Sequence, residues 1–551
     1  MRRRDLLLGG AAAATGCSRF DDPPSPLFDG DWIGASHERG HRLRDGKSGS
    51  LPPPALRRRA GVLIVGAGIA GLAAARRLRN EGIDDVHLLE LENEAGGNSR
   101  GHRLAGRACP LGAHYLPTPG PAATEVTELL HDLGVLETKH GRPVYDETML
   151  CHSPQERLFI DGQWQDGLLP AARDERLRAQ YRGFGRAIER LRGELAFAIP
   201  TARAAWSAGH AALDAQTFAQ WLAAQGFDHP RLRWYLDYCC RDDYGASASQ
   251  VSAWAGVHYF ASRHGFHAPG VDDDADRADD HDAVLTWPEG NGWLAERLAG
   301  PHEERLHYGR IALRISETRH EVQVDAWSES TRQVERWTAP RVVLALPLFI
   351  AARLLDAPPP GLAEAAALMP HAPWLVANLH LRSALTDRPG APMSWDNVLY
   401  DERGTNPSLG YVDATHQALL PVADPVLLTA YWALGGRHAE ELRQQRQALL
   451  ARPWRTWANV VVDDLSRAHP DLRRKLDRVE LMRYGHAMSV PVPGLRGHAA
   501  LRALSASAGR VHLAHSDLSA YSVFEEAFFH GHRAGGEIAA VLKGSTSARS
   551  G

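Results

Sequence analysis

The sequence predicts an α/β protein: one domain holds a parallel sheet, and a discontinuous α+β domain is inserted into it. Three observations predict this. First, the apolar run Val62-Leu63-Ile64-Val65 passes through a glycine turn into an Ala/Leu/Arg-rich helix from about Ala70 to Asn80, and a second run follows at Val86-His87-Leu88-Leu89. That is a β-α-β unit, which makes parallel neighbours. Second, buried-strand runs return far downstream, at Val342-Val343-Leu344-Ala345-Leu346-Pro347 and at Arg510-Val511-His512-Leu513-Ala514. Third, 551 residues exceed what one ordinary core holds.

Composition narrows the function classes. Hydrophobic residues make up 44% of the chain, a globular value, and the net charge of -4 comes with no concentrated basic stretch, so no nucleic-acid partner is expected. Cys17, Cys109, Cys151, Cys239 and Cys240 are too few and too irregular for a disulfide framework or a zinc site, so no metal is expected. No run of about 18 apolar residues predicts a membrane-spanning helix.

The first residues read as an export signal. Arg2-Arg3-Arg4 precedes Asp5 and Leu6-Leu7-Leu8, and a small-residue stretch runs to Gly16-Cys17. Arg3-Arg4-x-Leu-Leu resembles a twin-arginine signal, and Ala14-Thr15-Gly16-Cys17 resembles a lipobox. Export by that route, lipidation at Cys17 and a periplasmic, membrane-surface location are expected. Residues 18–60, with Pro-Pro pairs, Gly, Ser and charge, read as a linker. Residues 120–280 read as mostly helical, and the acidic run from Asp272 to Asp282 as a solvated loop. Strand character is expected at Ile311–Ile315, Val322–Asp325, Leu375–Leu381 and Val426–Tyr431, and a closing helix at Phe524–Leu542.

Chemistry enters at Gly66-Ala67-Gly68-Ile69-Ala70-Gly71, a G-x-G-x-x-G between strand and helix. Gly66 makes the tight turn, Gly68 lets backbone approach a pyrophosphate, and Gly71 lets helix and strand pack closely. The helix start at Ile69 and Ala70 presents free N–H groups to phosphate. Glu90, followed by Leu91, ends the second strand where a carboxylate accepts hydrogen bonds from ribose hydroxyls.

A second glycine pair follows, in Gly96-Gly97-Asn98-Ser99-Arg100, and then Pro110-Leu111-Gly112-Ala113-His114-Tyr115-Leu116. Together with Trp287-Pro288-Glu289-Gly290-Asn291-Gly292-Trp293-Leu294, Ala345-Leu346-Pro347 and a last strand and helix carrying Asp517 and Gly531, these pieces span most of residues 61–542. In this order they resemble the flavin-containing amine oxidase and phytoene-desaturase-like superfamily. The resemblance implies FAD, held in a Rossmann-like FAD-binding domain of the two-dinucleotide-binding-domain flavoprotein type. It implies cofactor contacts from the G-x-G-x-x-G residues, Glu90, Leu91, Gly97, Asn98, Arg100, Gly112, Ala113, His114 and Tyr115. Ala312, Asp517 and Val523 complete that set. The FAD domain is expected from 61–150, 280–360 and 490–545, and a substrate domain from 151–279 and 361–489. Ser522-Val-Phe-Glu525 reads as a capping box opening the last helix toward the flavin.

The resemblance breaks at the reaction centre. Where amine oxidases hold a lysine, the matching segment has Trp374, and none of the four lysines, Lys47, Lys139, Lys475 and Lys543, is nearby in sequence. The aromatic-cage position carries Val523, with Tyr521 two residues earlier. Simple primary amines and polyamines are therefore expected to be poor substrates. Trp374, Tyr521 and His486 stand as catalytic candidates, the last because a neutral imidazole can accept a proton. His515 is a weaker candidate. Cys239-Cys240 reads as two buried thiols, and Trp206, Trp221, Trp234 and Trp254 as core. The expected activity is FAD-dependent oxidation of a small or apolar substrate by hydride transfer. An amine oxidase proper and a non-catalytic FAD-binding scaffold are the alternatives.

Replacing Arg3-Arg4 by two lysines is expected to leave the protein in the cytoplasm. Replacing Cys17 by alanine should abolish lipid labelling and release the protein from membranes. Cell fractionation reads both, and a parental distribution for both variants would reject the export reading.

Overall fold

The computed structural model describes residues 28–45, 52–271, 283–418, 426–505 and 509–547. The export motif with Cys17 and the acidic run 272–282 lie outside the described residues.

The strand Val62–Val65 is the middle of a five-stranded parallel sheet. The order is Leu306–His307, Val86–Leu89, Val62–Val65, Arg341–Leu344, Val511–Leu513. A strand covered on both faces has no polar side, which is why Val62–Val65 is apolar throughout. Val62 and Ile64 pack with the helices Ile69–Asn80, Gly292–Ala299 and Phe524–Ser547. Leu63 and Val65 pack against a four-stranded sheet formed by Arg310–Glu317, Val322–Ser328, Gln333–Ala339 and Leu56–Arg59. The last helix lies so close to the first that a Cβ at Gly531 would stand 1.9 Å from the Ala70 carbonyl oxygen.

A second, eight-stranded sheet has the order Asp29–Ile33, Leu476–Ser489, His371–Leu381, Val426–Ala433, Ser408–Asp413, Asp396–Leu399, Glu156–Ile160, Gln163–Asp166. Its strands alternate as a two-sided sheet requires. Val376, Tyr431 and Met482 pack with the helices Glu175–Glu194, Phe218–Ala224, Pro230–Tyr244 and Ala253–Ala261. Leu375, Ala377, Ala430 and Leu481 pack on the opposite side with Trp457, Val461 and Leu465 of the helix Trp454–Leu465. No helix among the described residues is long and apolar enough to cross a membrane.

Two expectations are corrected. The stretch expected as a linker contains structure: Asp29–Ile33 pairs in parallel with the edge strand Leu476–Ser489, His37–Asp45 is helical, and Leu56–Arg59 pairs with Gln333–Ala339. Edge strands are held by backbone hydrogen bonds and do not require an apolar face; all of Leu56–Arg59 is exposed, so hydropathy gave no sign of it. The segment also straps the two sheets together. Ser36 N donates to the Glu92 carboxylate at 3.0 Å, and Arg39 donates to Leu91 O at 3.1 Å and Asn93 Oδ1 at 2.9 Å. Second, residues 136–166 are not helical but form two hairpins, Leu136–Lys139 with Arg142–Tyr145 and Glu156–Ile160 with Gln163–Asp166. Their turns, His140-Gly141 and Asp161-Gly162, have φ of 52° and 77°, and 53° and 82°. Both central residues positive is the two-residue hairpin geometry that Asp-Gly favours, and four- or five-residue strands show little periodicity.

Gly531→Val is expected to destabilise by at least about 1–3 kcal/mol, because the added atoms meet backbone rather than a movable side chain. Gly536→Ala, where the nearest atom is Arg77 Nε at 3.6 Å, is expected to stabilise by about 0.5–1 kcal/mol. Denaturant midpoints of the two variants check both signs.

Candidate active site

The two glycine turns meet backbone to backbone. Gly66 has φ of 99°, Gly96 of 112° and Gly97 of 59°. Gly96 N donates to Ala67 O at 2.8 Å, and Ala67 N donates to Glu90 Oε2 at 2.8 Å. The other Glu90 oxygen accepts from Glu92 N at 2.9 Å. Each oxygen of this buried carboxylate keeps acceptor capacity for a ribose hydroxyl. A Cβ at Gly68 would have only Gly97 Cα within 4 Å, at 3.9 Å, so the helix start faces open space. No acidic side chain occupies the first turn of Ile69–Asn80, leaving its N–H groups and dipole available to an anion. This cradle fits the pyrophosphate and ribose of FAD. Ala312 lies on the strand whose Arg310 N donates to Glu90 O at 2.8 Å, at the same ribose end.

Beyond Asn98 a cavity opens between the two sheets. One wall is backbone and small groups: Asn98, Gly112, Ala113, Ala487, Ser522 and Val523. Gly112 is required there, since a Cβ would come within 2.1 Å of Asn98 O. Asn98 Nδ2 donates to Ala487 O at 2.7 Å, and Tyr484 OH to Leu111 O at 2.8 Å, so the nucleotide segment is stitched to the strand Leu476–Ser489. The opposite wall is aromatic. His114 stacks on Tyr431 at 4.4 Å between ring centroids, Tyr115 meets Trp395 edge-on, and Trp374 projects from the strand His371–Leu381. Burial pushes the His114 imidazole down to about 3, so it is neutral.

The cavity also carries carboxylates in excess of cations. Asp242, Asp243 and Glu525 line it, with Arg263 as the one lining cation among the described residues. Arg263 is committed to Asp243 through bonds of 3.1 and 3.2 Å, and to Tyr521 OH at 2.8 Å. Tyr521 OH in turn donates to Asp243 Oδ2 at 2.5 Å. The Asp242 side chain accepts from the Tyr115 hydroxyl, at 3.4 Å, and pairs with no cation among the described residues. Burial, then the neighbouring Asp243, pushes the Asp242 carboxyl up to about 7. Burial also pushes Glu525 up to about 7. Asp396, which faces Asp242, is raised for the same reasons: burial first, then Glu156 and Asp242.

The predicted residues divide. Gly66, Gly68, Gly71, Glu90 and Gly97 form the cradle; Asn98, Gly112, Ala113, His114, Tyr115, Val523 and Trp374 line the cavity. Arg100 does not face it: the buried guanidinium donates to Gly97 O at 3.1 Å and pairs with Glu94, bracing the turn. Asp517 is fully buried, and its oxygens take Leu348 N at 2.9 Å and His371 Nε2 at 3.1 Å, so it ties strands and helix together away from the cavity lining. His486 is an exposed residue packed on Phe349, outside the cavity. The ladder slips there, with Tyr484 opposite Trp374 and Met488 opposite Ala372, which breaks simple alternation. Tyr521 lies behind the wall as the partner of Asp243. The Ser522 hydroxyl accepts from Ser489 N at 2.9 Å, and Glu525, expected as its capping partner, lines the cavity instead. Asp242, Asp243 and Arg263 were missed as site residues. The run Tyr238-Cys239-Cys240-Arg241-Asp242-Asp243-Tyr244 crowds polar and aromatic residues together, but nothing in it tells which side chains face inward.

A family model described as flavin containing amine oxidoreductase matches residues 69–539. Curated relatives match over short stretches. Polyamine oxidase 7 of Oryza sativa subsp. japonica is 40% identical over 55 residues, 10% of this chain and 12% of that protein. The putative flavin-containing monoamine oxidase AofH of Mycobacterium tuberculosis is 38% identical over 81 residues, 15% and 17%. The chain thus spans under a fifth of these relatives' length. Solved structures agree over nearly the whole fold. Cyclohexylamine oxidase from Brevibacterium oxydans IH-35A superposes with a TM-score of 0.63 at 19% identity, covering 88% of this chain and 99% of that one. Wild-type putrescine oxidase bound to putrescine gives 0.61 at 18%, covering 88% and 100%.

A carboxyl whose folded pKa lies above its unfolded value binds its proton more tightly in the native state, so its cost to stability grows as pH rises from about 4 to about 7. Asp242→Asn is therefore expected to raise the Tm at pH 8, with the gain shrinking toward pH 4. Thermal melts across that range check it, and a gain independent of pH would show that charge is not the cause.

Proposed function

The chain belongs to the flavin containing amine oxidoreductase family, with FAD as its cofactor, and from that premise we propose that it oxidises a cationic amine. One observation carries this reading: among the described residues Asp242 and Glu525 stand unpaired by any cation, in a cavity with one aromatic wall. Buried carboxylates without partners are costly, and an ammonium ion resting among aromatic faces would offset that cost. The names of the putrescine and cyclohexylamine oxidases that share the fold support the same class. The reading reverses the expectation drawn from Trp374 and Val523. Those positions concern the rings and lysine beside the flavin, whereas charge in this cavity comes from the helix Pro230–Tyr244 and the start of the last helix.

FAD, when bound, supplies the hydride acceptor and the two-electron oxidation. The chain's own residues bind and orient. Gly66–Gly71 and Glu90 would hold the pyrophosphate and ribose, and Asn98, Gly112 and Ala113 would border the ring system. Trp374, Tyr431 and His114 exclude water from the substrate side, and the neutral His114 adds no repulsion to a cation. The Arg263–Asp243–Tyr521 cluster fixes the wall against which Asp242 is placed.

Export and lipid anchoring remain part of the proposal. The first described strand begins at Asp29. The span from Cys17 to Phe28 reaches at most about 40 Å when extended, so a lipidated Cys17 would hold the body close to the membrane.

Anaerobic mixing of the flavoprotein with putrescine, cyclohexylamine and neutral isosteres, cyclohexanol among them, tests the substrate class. Flavin bleaching by an amine at enzymic rates, about 1–10³ s⁻¹, and none by the isosteres is expected. Bleaching by the neutral compounds alone would reject this reading in favour of an uncharged substrate.

A further inference from the structure

We infer that Asp242 is the group that takes the ammonium proton from the bound amine, with the Tyr115 hydroxyl holding its carboxylate in position. The inference rests on the amine reading and assigns a catalytic residue within it. An alkylammonium cannot give up a hydride from the adjacent carbon until a lone pair is free on nitrogen, so a proton acceptor must meet the substrate.

The cavity offers few acceptors. His114 is neutral but pushed down to about 3, too weak a base to hold a proton. The phenols of Tyr115 and Tyr431 are raised well above 10 and remain protonated. Trp374 has no basic atom. Asp243 is occupied by Arg263 and Tyr521. Two carboxylates remain, Asp242 and Glu525. Asp242 is the one joined to the Gly112–Tyr115 side of the cavity, through the Tyr115 hydroxyl at 3.4 Å. Tyr115 is itself fixed: Asn291 Nδ2 donates to its carbonyl at 2.9 Å, and its ring meets His114 and Trp395 edge-on. Asp396 and Tyr238 interact electrostatically with Asp242, and Arg263 and Arg241 are the nearby cations, both already paired.

The proton balance is simple. An N–H bond of R–CH₂–NH₃⁺ breaks, its electron pair stays on nitrogen, and an O–H bond forms on Asp242. One negative and one positive charge become a neutral acid and a neutral amine. In water a proton prefers an alkylamine over aspartate by roughly 10⁶-fold. With the Asp242 carboxyl at about 7, that preference falls to about 10³ against a model amine. The same burial disfavours the ammonium form, closing the gap further. Transfer between the two is then a modest step rather than a forbidding one.

The test uses FAD-loaded protein and whichever of putrescine and cyclohexylamine reduces the flavin faster. In the parent protein the reduction rate should rise tenfold per pH unit below about 7 and level off above it. In Asp242→Asn the rate at pH 7 should fall by about 10²–10⁴ and then climb tenfold per unit up to the amine's own pKa, since only pre-neutralised amine reacts. Glu525→Gln should bind the amine more weakly yet keep the parental pH dependence, levelling off above about 7. A reading independent of turnover uses tert-butylamine, which has no α-hydrogen: below pH 7, binding of its ammonium form should ionise Asp242 and remove a protonated-carboxyl band from the infrared difference spectrum, a loss absent in Asp242→Asn. Flavin absorbance and melting curves establish that the variants are folded and loaded. The inference is overturned if Asp242→Asn keeps the parental pH profile, or if Glu525→Gln loses the plateau in its place. If no amine reduces the parent flavin, the substrate class itself fails, and this role with it.

Discussion

At the nucleotide end two backbone turns that carry no side chains pack against each other. A Cβ at Gly71 would lie 1.9 Å from Gly66 O, and one at Gly97 would lie 3.2 Å from Gly68 Cα. These contacts bring the helix Ile69–Asn80 onto its strand and the second turn onto the first. Everything at the nucleotide end follows. The Ala67 N–H is brought to Glu90, the Glu90 main chain is brought to His307 and Arg310, and the helix start is left without competing side chains. The last helix reaches the same place only because Gly531 lets it ride on Ala70. Removing side chains here is what creates room for a cofactor, and it forces the surrounding elements into one arrangement.

The second constraint is the seam between the sheets. Asn98 and Leu111 are hydrogen-bonded to the strand Leu476–Ser489, and the segment 28–45 pairs with that strand while its Ser36 and Arg39 grip the Glu90–Asn93 loop. The cofactor cradle and the aromatic wall are therefore registered to each other through one long strand. This explains why a pocket opens where elements far apart in the chain converge, and why residues as distant as Tyr115 and Asp242 share a hydrogen bond.

Legibility in the sequence followed the same division. The β-α-β unit, the two glycine turns and Glu90 were readable because their function is local: each residue acts through its own backbone or at a set distance along the chain. So were the residues lining the cavity from Asn98 to Tyr115, through their resemblance to a family. Side-chain direction was not readable. Arg100 turns inward to brace Gly97, Asp517 is consumed by Leu348 and His371, and His486 falls outside the cavity where the ladder slips. The Ser522-x-x-Glu525 pattern fits a cap on paper, yet the Ser522 hydroxyl is engaged by Ser489 and Glu525 belongs to the cavity. The hairpins at 136–166 escaped because strands of four or five residues show almost no period. The edge strands at 29–33 and 56–59 escaped because hydrogen bonding at a sheet edge places no demand on composition.

The adjacent carboxylates Asp242 and Asp243 show how a fold separates two roles that composition cannot. Successive residues on a helix point about 100° apart, so Asp243 reaches Arg263 and Tyr521 while Asp242 meets Tyr115. The paired carboxylate is fixed in place by its arginine and its tyrosine. The unpaired one is held close to neutrality by the same burial that makes it expensive to ionise. A second arginine beside Asp242 would remove that cost, but it would also lower the carboxyl's proton affinity and occupy the place a cationic substrate needs. The missing counter-ion is thus stability given up locally for a group whose charge can change when a substrate arrives.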